Sequence, residues 1–185
     1  IELSEDVARK FTDARPIDPK MVRRPAADPS AIQNAAHILD GSRRPLIIAG
    51  NGAIRKQASK QLRQVSNRHG IPVVHTFMGK GAVSDRNPNS LYTIGLGFRD
   101  YVMDAVDRAD VVMTVGYDIA EYAPDMWNTQ PDRPIVHVDF APAEVYTQYQ
   151  PSVEIVADIS SALTSLDEAL RHRNCRFNRT WYEPV

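Results

Sequence analysis

Short, mostly apolar runs alternate along this chain with longer stretches of helical periodicity, and no other feature narrows its fold as far. The runs are Pro45 to Gly50, Ile71 to Thr76, Ala109 to Gly116 and Arg133 to Asp139, with a weaker one at Val153 to Val156. A strand that is apolar at nearly every position needs cover on both faces, which the interior of a parallel sheet provides. Between the runs, apolar residues recur at helical spacing. Asp28-Pro29 supplies an N-cap carboxylate and a first-turn proline for a helix that ends at Gly41. Ile54 to His69, Asp100 to Arg108 and Ile159 to Leu170 follow the same pattern. Strands separated by helices imply right-handed crossovers. The expected fold is α/β: a doubly wound, Rossmann-like parallel sheet of five to six strands with helices on both faces.

The regular pattern covers residues 28–171 and predicts one domain there. Pro16, Pro19 and Pro25 break residues 1–27 into an extended linker, and residues 172–185 read as the start of a second linker. The first residue is not Met, so upstream sequence is expected. With 22 basic against 23 acidic side chains, the net charge of −1 gives no reason to expect a nucleic-acid partner. No run approaches the ~20 apolar residues that span a bilayer, so no membrane association is expected. The acidic opening, Glu2 to Asp6, is no signal peptide, and the cytoplasm is the default location. Cys175 is the only cysteine, which excludes an internal disulfide; flanked by Arg173 and Arg176, it reads as a surface thiol near a frayed end.

Ligands of open parallel sheets bind beyond the carboxyl ends of the strands, so those ends hold the candidate site residues. Gly50-Asn51-Gly52 leads from the first run into a helix, where glycine admits a phosphate and the helix start offers N–H groups. The dinucleotide fingerprint needs another glycine three residues on, where Arg55 stands, and a tight turn is an equal alternative. Thr76-Phe77-Met78-Gly79-Lys80-Gly81 follows the second run but lacks the hydroxyl residue that a P-loop places after its lysine. Gly95, Gly97 and Phe98, then Gly116-Tyr117-Asp118, stand at later strand ends. Asp139, before Phe140, occupies a usual position for a carboxylate that accepts ribose hydroxyls. Turns also need glycine and aspartate, so each position has a structural alternative. His37, His69, His75, His137 and His172 show no metal-ligand spacing and read as structural. Glu121 and Asp125 read as acids placed for the dipole of a helix that begins near Pro124. No catalytic residue and no metal ligand is predicted.

Taken in order, Gly50-Asn51-Gly52, Ile71 through Val83, Ala109 through Asp118, Ile135 through Asp139 and Val153 through Ile159 resemble the central domain of thiamine-diphosphate-dependent enzymes. Glu121-Tyr122 with Trp127-Asn128 is most similar to the catabolic type of acetolactate synthase, and Ile1 to Ala8 resembles the end of the preceding pyrimidine-binding domain. The resemblance implies a three-domain polypeptide with thiamine diphosphate and Mg²⁺ held between the first and third domains. This segment would then be a bridging scaffold, inactive alone and packed within a homodimer or homotetramer. The implied reaction decarboxylates a 2-keto acid such as pyruvate and condenses the remainder with a second keto acid.

In biosynthetic acetolactate synthases the central domain also holds FAD. The positions that would match are Gly50, Asn51, Gly52, Thr76, Phe77, Met78, Gly97, Phe98, Gly116, Tyr117, Asp118, Asp139 and Phe140. Two segments depart from that pattern. Tyr92 through Phe98 replaces a Gly-Met-X-Gly-Met-His-Gly segment, and Tyr117 through Glu121 replaces an arginine-rich one. Losing those arginines removes cations that would neutralise a pyrophosphate. The expectation is an FAD-independent relative whose crevice is empty, filled by side chains or used by another nucleotide. The alternatives are a free-standing FAD- or NAD-binding module of an oxidoreductase and another thiamine-diphosphate decarboxylase.

Overall fold

The computed structural model describes residues 3–18, 24–95, 101–130 and 132–182. Its strands are β1 (Pro45–Ala49), β2 (Val73–His75), β3 (Ser90–Thr93), β4 (Val111–Val115), β5 (Ile135–Asp139) and β6 (Val153–Val156). The helices are α1 (Glu5–Ala8), α2 (Pro29–Asp40), α3 (Asn51–Arg55), α4 (Ser59–His69), α5 (Val102–Arg108), α6 (Pro124–Trp127) and α7 (Ile159–His172). All strands join one sheet in the order β3-β2-β1-β4-β5-β6, and every pairing is parallel. The sixth strand is β3. It is a short edge strand whose Tyr92 has φ 65°, so neither its length nor its periodicity marks it in the sequence. The single helix expected over 54–69 is two, because Gln57 turns through a left-handed conformation (φ 56°) between α3 and α4.

Successive residues of a strand point to opposite faces, and each face here has its own core. Ile47, Met113, Val136 and Ile155 pack with residues of α2, α4 and α7. Leu46, Ile48, Val112 and Ile135 pack on the other side with α5, Trp127 and Tyr149. Asp28 caps α2 as expected, accepting from the Ser30 N–H at 2.9 Å. The chain leaves β1 toward β2 and β3, then returns to place β4 on the other side of β1. That reversal opens a crevice beyond the carboxyl ends of β1 and β4. Among the described residues, no helix is long and apolar enough to cross a membrane.

The buried histidines are structural. His75 Nδ1 donates to Tyr92 O (3.1 Å) and its Nε2 accepts from the Val83 N–H (3.2 Å), so the neutral ring ties β2 to both flanking segments. His137 is bonded to Tyr149 Oη (2.8 Å) and Ala141 O (3.1 Å), and Tyr149 Oη meets Thr114 Oγ1 at 2.6 Å. His37 and His172 lie exposed on their helices. Burial pushes the His75 pKa below 6.5. Folding therefore favours the neutral ring, and the unfolded chain takes up the proton first. The stability held above pH 6.5 should fall as pH drops below that value and through the lowered folded value. Urea titrations at stepwise lower pH should show this loss, at most about 1.4 kcal/mol per pH unit from one proton. His75→Gln should remove that part of the slope, and an unchanged slope would refute the assignment.

Beyond α7 the chain stays on the domain. Asn174 adopts φ 55°, its N–H bonds Arg171 O (3.0 Å) and the Cys175 N–H bonds Leu170 O (3.0 Å), a Schellman turn. The turn carries Cys175 into the core, contrary to the surface thiol expected from its polar neighbours, and burial with the Asp40 carboxylate nearby pushes its thiol up to about 12. Phe177 N then bonds His69 O (2.8 Å), and Tyr182 is buried.

Candidate functional site

At the crevice, three glycines meet backbone to backbone. A Cβ on Gly50 would stand 2.4 Å from Gly116 O, and one on Gly52 would stand 2.6 Å from Gly116 Cα. Gly116 has φ 60°, and its own Cβ would reach within 2.2 Å of Ala53 N. The Gly50 N–H donates to Val115 O (2.9 Å) and the Gly52 N–H to Gly116 O (2.8 Å). The glycines thus let the turn after β1 lie on the turn after β4, which leaves the N–H of Asn51 as the donor at the start of α3 without a backbone acceptor.

A carboxylate of the same chain takes it. Glu121, half-buried after β4, accepts from the Asn51 N–H at 3.0 and 3.1 Å and from the Thr76 hydroxyl. Thr76 Oγ1 in turn accepts from the Gly79 N–H at 3.0 Å. One carboxylate therefore joins the ends of β1, β2 and β4, and does not serve the dipole of α6 as its place in the sequence implied. Removing it by Glu121→Ala leaves two polar groups without their acceptor and should cost about 1–3 kcal/mol in urea unfolding. Glu121→Gln keeps one acceptor oxygen and should cost less; equal stability of all three proteins would show that the bonds contribute nothing.

The other candidate positions divide around this centre. Phe77 and Met78 project from the rim, 62% and 49% exposed. Tyr117 turns inward, its hydroxyl donating to Tyr122 O and accepting from Trp127 Nε1 (3.0 Å). Asp118 closes its own turn by accepting from the Ala120 N–H at 2.9 Å. Asp139 accepts from the Phe140 N–H (2.5 Å), and burial raises its pKa from the ordinary aspartate value. Lys56 Nζ sits 4.5 Å from the centre of the Phe140 ring. Gly97 and Phe98 lie outside the described residues. The space left between the ends of β4 and β5 is about 110 Å³, below the ~300 Å³ at which small-molecule sites begin. The sequence reading gave Glu121 a different role and passed over Lys56, because both meet their partners only through the fold.

Residues 32–166 match the family described as thiamine pyrophosphate enzyme, central domain. The chain belongs to that family. This central domain is 32% identical to an acetolactate synthase of Bacillus subtilis over 173 residues, 90% of the chain and 30% of that protein. It is 32% identical to an acetolactate synthase of Mycobacterium avium over 142 residues, 76% of the chain and 23% of that protein. A probable acetolactate synthase large subunit of Methanocaldococcus jannaschii is 31% identical over 158 residues, 85% of the chain and 27% of that protein. The central domain therefore spans under a third of these relatives. Among its described residues, no group of three or more His, Cys, Asp or Glu side chains stands where it could hold a metal ion. Glu121 occupies the Asn51 N–H, the group at the start of α3 that a phosphate would need.

Proposed function

We propose that this chain is the central scaffold domain of a thiamine-diphosphate-dependent acetolactate synthase that does not use FAD. In the intact enzyme, a 2-keto acid such as pyruvate is decarboxylated and the remainder is joined to a second keto acid. Thiamine diphosphate and Mg²⁺ supply that chemistry from the flanking domains of the same polypeptide, in a cytoplasmic homodimer or homotetramer. The part of this chain is structural: it sets the spacing of its neighbours and closes its own crevice. The observation that carries the reading is the Glu121 carboxylate on the Asn51 N–H and the Thr76 hydroxyl, where a nucleotide-binding relative would receive a phosphate. The acetolactate synthases among its relatives support the choice of substrate class. A free-standing FAD or NAD module loses support for the same electrostatic reason.

The isolated chain, supplied with thiamine diphosphate and Mg²⁺, should leave pyruvate unchanged, while the complete polypeptide should release CO₂ from it. Turnover by the chain alone, or none by the complete polypeptide, overturns the proposal. FAD and NAD should each shift the melting temperature by less than about 1 °C, since a ligand that does not bind adds no stability. A shift of several degrees with either would restore the oxidoreductase reading.

A further inference from the structure

At the opposite end of the sheet from the glycine crevice, α4 and α7 finish side by side at an open cavity of about 360 Å³ lined by Arg68, His69, Arg171, Asn174, Cys175 and Arg176. Behind this lining Arg68 and His69 are both tied to Asp167. Asp167, on α7 and almost fully buried, receives Arg68 on one oxygen and His69 Nε2 (3.0 Å) on the other, and His69 Nδ1 lies 2.7 Å from Cys175 O. Asp167 is thereby engaged on both oxygens, and no carboxylate is among the residues lining the cavity. Glu168 faces a separate hollow with Arg171 and His172. Arg171 and Arg176 make no ion pair or side-chain hydrogen bond among the described residues. A cation in the last turn of a helix complements the helix dipole, which accounts for Arg68 and Arg171 singly. It does not account for Arg176, which lies past the Schellman turn and is brought to the cavity by the reversal at Asn174.

We propose that this cavity is an anion site that takes a phosphoryl group. Two guanidinium forks without carboxylate partners, beside Arg68, which is paired with Asp167, match the planar two-point recognition of phosphate oxygens. The volume, near the lower end of small-molecule sites, exceeds what one phosphate fills and admits the remainder of a small phosphate monoester. The site is remote from the glycine crevice, so its occupancy is independent of the filling of that crevice by Glu121.

Isothermal titration of the protein with inorganic phosphate and with glycerol 3-phosphate, at matched ionic strength, tests it. Both probes should bind saturably below about 10 mM. Arg171→Gln and Arg176→Gln should each weaken binding about tenfold, while Arg63→Gln, exposed on α4 away from the cavity, should leave it unchanged. Arg171 and Arg176 are exposed, so the melting temperatures without ligand should not move. Tighter binding of the ester assigns the site to a phosphate monoester, and equal binding assigns it to free phosphate. No saturation with either probe, or the same loss in Arg63→Gln, overturns the proposal.

Discussion

Gly116→Ala is expected to destabilise the protein by on the order of 4 kcal/mol, enough to unfold most of it under mild denaturant. Two costs add at that position. Placing alanine at φ 60° costs about 1–2 kcal/mol, because Cβ approaches the following carbonyl in the left-handed region. The larger cost is packing: the new Cβ would lie 2.2 Å from Ala53 N and 2.4 Å from Gly52 C, atoms of a backbone that α3 and the Asn51–Glu121 bond hold in place. Neither segment can withdraw without breaking the Gly52–Gly116 hydrogen bond. Gly81→Ala separates the two costs. Gly81 has φ 96° and nothing within 4 Å of its added Cβ, so it bears only the conformational cost. Urea unfolding of both variants should place Gly116→Ala well below Gly81→Ala. A difference within about 1 kcal/mol would mean that the crevice is plastic and that the backbone contacts do not define it.

Arg133→Met should lose on the order of 3 kcal/mol, as several buried acceptors lose one charged donor together. The Arg133 side chain is buried ahead of β5 and donates to Val106 O (2.5 Å), Ala109 O (3.4 Å), Trp127 O (3.2 Å) and Asn128 Oδ1 (2.8 Å). The carbonyls belong to the ends of α5 and α6, so one guanidinium closes two helix C-termini, where a positive charge is favoured. Burial lowers its pKa to about 10, so it stays charged at neutral pH. Methionine fills the volume but leaves these acceptors without a donor in a dry interior. Arg133→Lys keeps the charge and should still cost about 2 kcal/mol, because one ammonium cannot span acceptors on two helices. Calorimetry or urea unfolding reads both effects. Stability of Arg133→Met within about 1 kcal/mol of the parent would refute the role given to this residue.

The glycine crevice and the Arg133 cap share a trait with the phosphoryl site: each depends on groups far apart in the chain. Glu121 and Asn51 are separated by 70 positions, and Asp167 and His69 by 98. In sequence, Glu121 precedes Pro124 and Asp125, where an acid at a helix start is the simplest reading; Arg133 is only the residue before a proline and an apolar run. Charges on loops carry no periodicity, so nothing local marks their partners.

The sequence alone determined what depends on local preference and on burial pattern. Apolar runs of strand length, helical spacing between them and the Asp28 cap are enough to imply a parallel sheet wrapped by helices, because such strands need cover on both faces. Which glycines serve a ligand and which serve packing was decided only in three dimensions. Gly50, Gly52 and Gly116 read equally as ligand contacts and as tight turns until β1 and β4 come side by side and the two turns press together. The same holds for Cys175, drawn inward by a turn at Asn174, and for Glu121, which closes the crevice. The physical reason is common to all: backbone conformation follows from neighbours in the chain, whereas charge pairing and close approach follow from neighbours in space, which exist only once the sheet has formed.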